Sequence, residues 1–399
     1  MGYTINFKDL DERINASRIS DFFRAHGLQV SGHKQQLWDR MSDAINSADS
    51  SLTVEDVDQF LAEEISHGRN RMLFLSSFPA MHVQQLKNLE YVKKCLKEAG
   101  FDNDKINNLR TVYESDKALL SFFDYVIVGN EVTQISLCFT KRITEEDQEE
   151  ECATRGQVDY IWVEIFPLEQ RIIIKVWARS NNILENQAES REIYDEISFM
   201  VRELFNLAPR DVSWQKATLY NIFRSLTQKA EDPFKKDVVS IKSQVDKLVE
   251  ACTERLKIQS GLLSFDLSYR ISRLFERALI EQNYDLYRKY SDGKRGYVDR
   301  IAFSDASGAF VRARSAANKG IEMADIYFDT RDTIEQLKML DKLWVSWFYK
   351  PADNVEIIKT RIEVFKEHYI INFDRTYTTK EVEQHVLSNF KWFENVQNR

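Results

Sequence analysis

At 399 residues, with 43% hydrophobic and 12% aromatic content, the chain can bury two or three cores at roughly 150 residues per domain, which excludes a disordered tail. Its formal net charge of −8 opposes a chain-wide attraction to polyphosphate, so any nucleic-acid contact has to be local. No apolar run approaches the roughly 18 residues needed to span a bilayer, and position 6 lacks the Ser or Thr of a myristoylation signal, so no membrane role is expected.

Asn15 stands where it can cap a first helix, Ile19 and Phe23 fall four apart on that helix's inner face, and Gly27 sits where a left-handed residue ends it. Leu28, Val30, Ser31 and Gly32 then form a tight extended link. Ser31 is placed to cap a second helix that buries Leu37 and Met41 and turns Lys34 and Arg40 outward. Gly27, the Val30-Ser31-Gly32-x-Lys34 segment and the Leu37-x-x-Arg40-Met41 tail together resemble the SAP domain, a helix-extension-helix module that binds duplex DNA; the resemblance covers residues 15–46. It implies duplex DNA as the partner. The DNA-facing groups it implies are Arg18 and Arg24 on the first helix, Ser31, Gly32 and His33 in the link, and Lys34 and Arg40 on the second helix. Related modules use the same hairpin for protein contacts, and that alternative stays open.

The physics of the link agrees with the resemblance, because backbone N–H groups at the start of a helix form a site for a phosphate oxygen. Between residues 13 and 46, five basic residues (Arg13, Arg18, Arg24, Lys34, Arg40) stand against three acidic ones (Asp21, Asp39, Asp43), a modest positive patch. A nucleotide-binding P-loop is rejected, since His33 separates Gly32 from Lys34 and a helix precedes Gly27.

Residues 46–51 have the polar composition of a flexible connector, which predicts a head free to swing. Thr53 then caps a helix carrying Val54, Val57, Leu61 and Ile65. A strand is expected over 72–78 and one helix over 83–99. Strands 122–128 and 132–139 flank Gly129-Asn130 as a hairpin, and 160–166 pairs with 171–177 in a second one. The acidic block 145–151 between them reads as a solvated loop, and a helix bearing Ile193, Ile197, Val201 and Leu204 follows.

Residues 214–290 read as helical. Val238, Ile241, Val245, Leu248 and Cys252 form a two-heptad seam, expected to pack in a core, with a protein partner or self-association through residues 238–252 as the other use. A C-terminal α/β part begins near Gly296, with strands 297–303 and 309–314, a hairpin of 362–365 with 369–373, and a helix over 380–390. The fold class is therefore multidomain α+β, divided into a head (10–46), a linker (47–53), an α/β domain (54–207), a helical region (212–292) and a C-terminal α/β unit (296–394).

Asp159, Glu164 and Lys175 lie on one hairpin in an order that superficially matches a metal-dependent nuclease, with Mg²⁺ as the cofactor that chemistry would need. Phe166 stands where such sites commonly place a lysine, and the plainer reading is a solvent-facing strand edge. Asp299, Asp305, Asp325 and Asp329 are explained by turns and caps. The six histidines show no metal-ligand spacing, no Cys-x-x-Cys pair exists, and otherwise no cofactor is expected. Trp344 and Trp347, in the aromatic run 343–349, would point to opposite faces of a strand, so at most one offers a base-stacking surface; burial of both is the favoured reading.

The sequence thus describes a DNA-binding protein with an N-terminal head on a partner-recruiting or oligomerising body; the alternative is a divergent nuclease directed to DNA by that head. The four cysteines lie far apart and no secretory leader is read, so a reducing cytoplasmic or nuclear compartment is expected.

Overall fold

The computed structural model describes residues 5, 7–47, 51–69, 71–111, 115–144, 156–177, 183–210, 214–259, 266–283, 294–304, 308–315, 320–350, 355–375 and 377–396. Side chains at 143–144, 156–157, 183–188, 228–233 and at Arg69, Met323, Asp325, Phe328, Asp329, Asp332, Asn395 and Val396 are likewise outside the description. The acidic block 145–151 and Asp305 fall outside it, as do the side chains of Asp325 and Asp329.

The helices are α1 (Phe7–Asp11), α2 (Ala16–Ala25), α3 (Lys34–Asn46), α4 (Val54–Ser66), α5 (Val83–Lys87), α6 (Leu89–Glu98), α7 (Ile183–Phe205), α8 (Gln215–Ser240), α9 (Lys242–Leu256), α10 (Leu267–Gln282), α11 (Asp325–Leu337) and α12 (Lys380–Val396). The strands are β1 (Gly68–Arg69), β2 (Arg71–Ser77), β3 (Ile106–Asn107), β4 (Leu119–Val128), β5 (Glu131–Thr144), β6 (Gly156–Phe166), β7 (Arg171–Trp177), β8 (Gly296–Ser304), β9 (Phe310–Arg314), β10 (Lys342–Tyr349), β11 (Glu356–Val364), β12 (His368–Phe373) and β13 (Tyr377–Thr378). The protein is mixed α+β, and the chain forms two compact units. One comprises residues 1–212 and 365–383, the other residues 213–364 and 384–399.

In the first unit the strands run β3-β4-β5-β6-β7-β2-β12, with antiparallel neighbours. Both faces of this sheet are apolar, which is why β6 and β7 read as near-continuous hydrophobic runs rather than alternating ones. One face packs Phe74, Ile161, Val163, Ile172 and Ile174 with Ile197 and Val201 of α7. The other packs Phe122, Val158, Tyr160 and Trp162 into the same core as Ile19, Phe23, Trp38 and Met41 of the head. The head therefore belongs to the first unit by its packing, and the division at 47–53 does not separate a core of its own. Residues 48–50 of the expected connector lie outside the described residues.

Both expected hairpins of this unit form, with Val128 opposite Glu131 and Phe166 opposite Arg171. The single helix expected over 83–99 is two, because Asn88 leaves the helical conformation and its side chain accepts the Glu90 N–H at 2.9 Å as the cap of α6. Thr53 caps α4 as expected.

The second unit orders its strands β11-β10-β8-β9, again antiparallel. Contrary to the favoured reading of the seam, the chain breaks at Ile241 between α8 and α9, and of the seam residues Val245 is buried whereas Leu248 and Cys252 are exposed. Trp347 is fully buried and Trp344 is partly buried, so the two rings do take opposite faces but only one is fully enclosed in the core.

Candidate nucleic-acid interface

The head presents two helices joined by the link, with α2 ending at Ala25 and α3 opening at Lys34. Asn15 occupies the cap of α2 without a side-chain bond. His33, not Ser31, caps α3. Gln36 accepts the His33 N–H at 3.0 Å, while Ser31 lies two residues earlier and its hydroxyl accepts from Gln29 at 2.7 Å. Gly32 has φ +117°, a region that side-chain-bearing residues rarely adopt, and it faces Gln36 closely. Ser31, Gly32 and His33 are exposed, as is Gln35 in the first turn of α3. The first N–H groups of a helix have no intrahelical acceptor, so this end is a ready anion site.

The expected cations divide by what they hold. Arg40 donates to the carbonyls of Gln29 and Ser31, the latter at 3.0 Å, and so fixes the link against α3. Lys34 pairs with Asp11 at 3.0 Å, and the same carboxylate accepts the Trp38 indole N–H at 3.0 Å, tying the start of α3 to α1. Arg24 pairs with Asp21 at 2.5 Å with both groups exposed. Arg18 turns away from the link to Glu64 at 2.7 Å, with its guanidinium over the Tyr377 ring, and burial pushes the Glu64 carboxyl up against those two partners. Arg13, counted in the sequence as part of the positive patch, is buried: it donates to Asp159 at 2.7 Å and Val158 at 2.6 Å and stacks on Trp177. The accessible charge is thus smaller than the residue count, and the most exposed of these cations is Arg24 on α2.

The nuclease trio does not converge. Asp159 belongs to Arg13, whereas Lys175 lies 3.0 Å from Glu164 and 2.6 Å from Glu383 at the start of α12, with no exposure of its own. All are buried, so the plain reading of a solvent-facing strand edge is also replaced. Around them, Arg71 caps the end of α4 by donating to the carbonyls of Ile65 and His67, the latter at 2.9 Å, which satisfies groups the helix leaves orphaned. His67 lies 3.7 Å from Glu383. Burial and then the Lys175 charge drive the His67 imidazole down to about 2, and burial pushes the Glu383 carboxyl up. The ring is therefore neutral in the folded protein. Lys175 occupies both carboxylates that would have to accept a cation, and among the described residues no three His, Cys, Asp or Glu side chains gather to hold a metal. Burial pushes the Cys138 thiol up to about 12, which leaves it inert as a nucleophile.

Sequence reasoning missed Glu383, His67 and Arg71, which reach the cluster from distant segments, and Asp11, which holds Lys34. One signal was present: Asp159, Glu164 and Lys175 are charged residues inside two strands that are otherwise largely apolar, and charges buried in such strands have to be paired. No family model matches the chain, and neither does any curated protein or solved structure.

Proposed function

We propose that this chain is a DNA-binding protein that engages the duplex backbone at the start of α3, while the remainder serves as a partner-recruiting or oligomerising scaffold. The observation that carries the reading is the exposed segment Ser31-Gly32-His33, held open by Arg40 and Gln36 at the N-terminal end of a thirteen-residue helix. The resemblance of residues 15–46 to the SAP domain supports it. Few free cations lie at the link, so the contact is weak and its salt dependence shallow, positioning the protein without reading bases.

The test uses variants that leave the fold intact. Reversing Lys34 or Arg40 would break the bonds that shape the link, whereas Ser31→Glu/Gln35→Glu places carboxylates at a helix N-terminus, where they repel phosphate and where the favourable dipole term offsets loss of the exposed Gln35–Asp39 bond at 2.9 Å. Anisotropy titrations of a labelled duplex at about 50 mM salt should show at least a tenfold loss of affinity with unchanged or higher thermal stability. Equal affinities would overturn the reading.

The scaffold role draws support from the exposed apolar residues Leu248 and Leu256 of α9. Sedimentation of the full chain should show an assembly that Leu248→Glu converts to smaller species. A wild-type monomer at all accessible concentrations would remove self-association.

A further inference from the structure

The four-stranded sheet of the second unit has two unlike faces. Residues at alternate positions, among them Leu343, Val345, Trp347, Ile358 and Ile362, are fully buried, and the Trp347 ring packs 6.2 Å from Phe393 of α12. The opposite positions are mixed: Ala302, Ser346 and Glu363 are buried, whereas Phe310, Arg312 and Arg314 on β9 and Lys359 on β11 are exposed. There the register sets Trp344 beside Arg300 on β8 and Arg361 on β11, and Arg300 beside Arg314 on β9. Lys359 stands opposite Ser346, and Arg312 lies over the Trp344 ring at 5.7 Å.

Both the charge and the chemistry of this face are unusual for a merely solvated one. Acids outnumber bases in the whole chain, 63 to 55. Among the described residues, Lys342, Arg300, Arg312, Arg314, Lys359 and Arg361 on this face stand against Glu363 and Asp299, with Asp341 at its margin accepting the Ser304 hydroxyl at 2.9 Å. Glu363 is buried and taken up by Lys342 at 2.5 Å and Arg361 at 2.8 Å, and Asp299 accepts the Ser346 hydroxyl at 2.6 Å. Among the described residues, Arg300, Arg312, Arg314 and Lys359 make no ion pair within 4 Å, although the charges of Lys359, Arg300 and Arg314 reach the one Asp299 carboxylate, and Arg312, Arg314 and Lys359 are exposed. Charged residues at an edge strand such as β9 guard against strand pairing, but that role does not require cations across the interior strands as well. The accessible aromatic component is Phe310 at the edge, 56% exposed, and the partly exposed Trp344; Tyr297 and Phe348, 5.8 Å apart, are partly buried beside them.

We infer that this open face binds single-stranded nucleic acid, with bases stacking on Trp344 and Phe310 and phosphates tracked by Arg300, Arg312, Arg314 and Lys359. Cations spaced between accessible aromatic rings match a strand whose bases are unpaired, because each base then offers a π-face between successive phosphates. A duplex hides those faces, and an acidic polypeptide has carboxylates for the arginines but nothing for the rings. The inference stands on residues separate from the head and does not depend on its reading.

The experiment measures binding of the full chain to labelled dT10 and U10, with a ten-base-pair duplex and a poly-glutamate peptide as competitors. The variants are Arg312→Glu/Arg314→Glu/Lys359→Glu and Phe310→Ser, all at exposed positions. The expected result is binding to one or both single strands, which decides between DNA and RNA. The triple variant should lose at least tenfold in affinity, and the slope of log K against log salt should shrink by about 2, since each phosphate contact on a single strand contributes about 0.7. Phe310→Ser should lose roughly fivefold or more, as expected for one stacked base, with its salt slope unchanged. Wild-type binding by the variants would overturn the assignment, and so would poly-glutamate competing as well as the oligonucleotide, which would give the surface to an acidic protein. Retention of single-strand binding by Ser31→Glu/Gln35→Glu is also required; its loss there would place the site on the head instead.

Discussion

Charged side chains occupy two contrasting environments in this protein: the interior of the first unit and the open sheet face of the second. Inside, Lys175 is held by Glu164 and Glu383, Arg13 by Asp159, and Arg71 by carbonyls, and every one of these cations is buried. On the open face, Arg312, Arg314 and Lys359 are exposed and make no ion pair within 4 Å among the described residues. The same residue types therefore do different things. Where desolvation is complete, charge must be neutralised at once and the side chain serves the fold. Where solvent supports it, an unneutralised cation costs little and is free for an outside anion.

Breaking the interior arrangement carries the largest expected effect. Lys175→Ala leaves two carboxylates buried without their cation and should cost about 3–5 kcal/mol in denaturant unfolding. Replacing all three groups by apolar residues of similar volume should recover much of that loss. A cost under about 1 kcal/mol for the single variant would mean that water reaches the cluster, and the contrast with the open face would fail.

His67 sharpens the contrast through pH. Its neutral ring is held far below the ordinary value, by burial first and then by Lys175, with Lys380 and Arg71 adding to the effect and the Glu63 carbonyl opposing it. The unfolded chain takes up a proton near pH 6.5 and the folded one does not, so stability is present above that pH and falls below it by about 1.4 kcal/mol per unit. Between pH 7.5 and 5.0 the wild type should therefore lose about 2 kcal/mol more than His67→Gln. Glu383, pushed up by burial, works in the opposite direction and is present in both proteins, which is why the comparison is between variants. Identical pH profiles would show that His67 titrates freely.

Much of the fold was legible in the sequence for local reasons. Gly129-Asn130 between alternating strands specified one hairpin and Thr53 specified the start of α4, because turn and cap chemistry acts over a few residues. The tertiary partners were not legible. Nothing local tells that α2 and α3 bury their apolar stripe against Phe122 and Trp162 instead of forming a separate head, or that α12 returns Glu383 to Lys175 across more than two hundred residues. At the candidate site, Gly32 and the exposed link were readable from spacing, but the use of Arg18 by Glu64 and of Lys34 by Asp11 depends on neighbours that only folding supplies. The aromatic run was read correctly in its alternation, while its cationic surroundings come from β8, β9 and β11 and appear only once the strands are in register.

The most direct test of the claim that the exposed link of the head and the cationic sheet face of the second unit are two separate nucleic-acid sites is a crossed binding measurement on the full chain. Duplex and single-strand affinities are taken for the wild type, for Ser31→Glu/Gln35→Glu and for Arg312→Glu/Arg314→Glu/Lys359→Glu. The account predicts that the first variant loses the duplex by at least tenfold and keeps the single strand, while the second does the reverse. Equal retention of both ligands by both variants would contradict it.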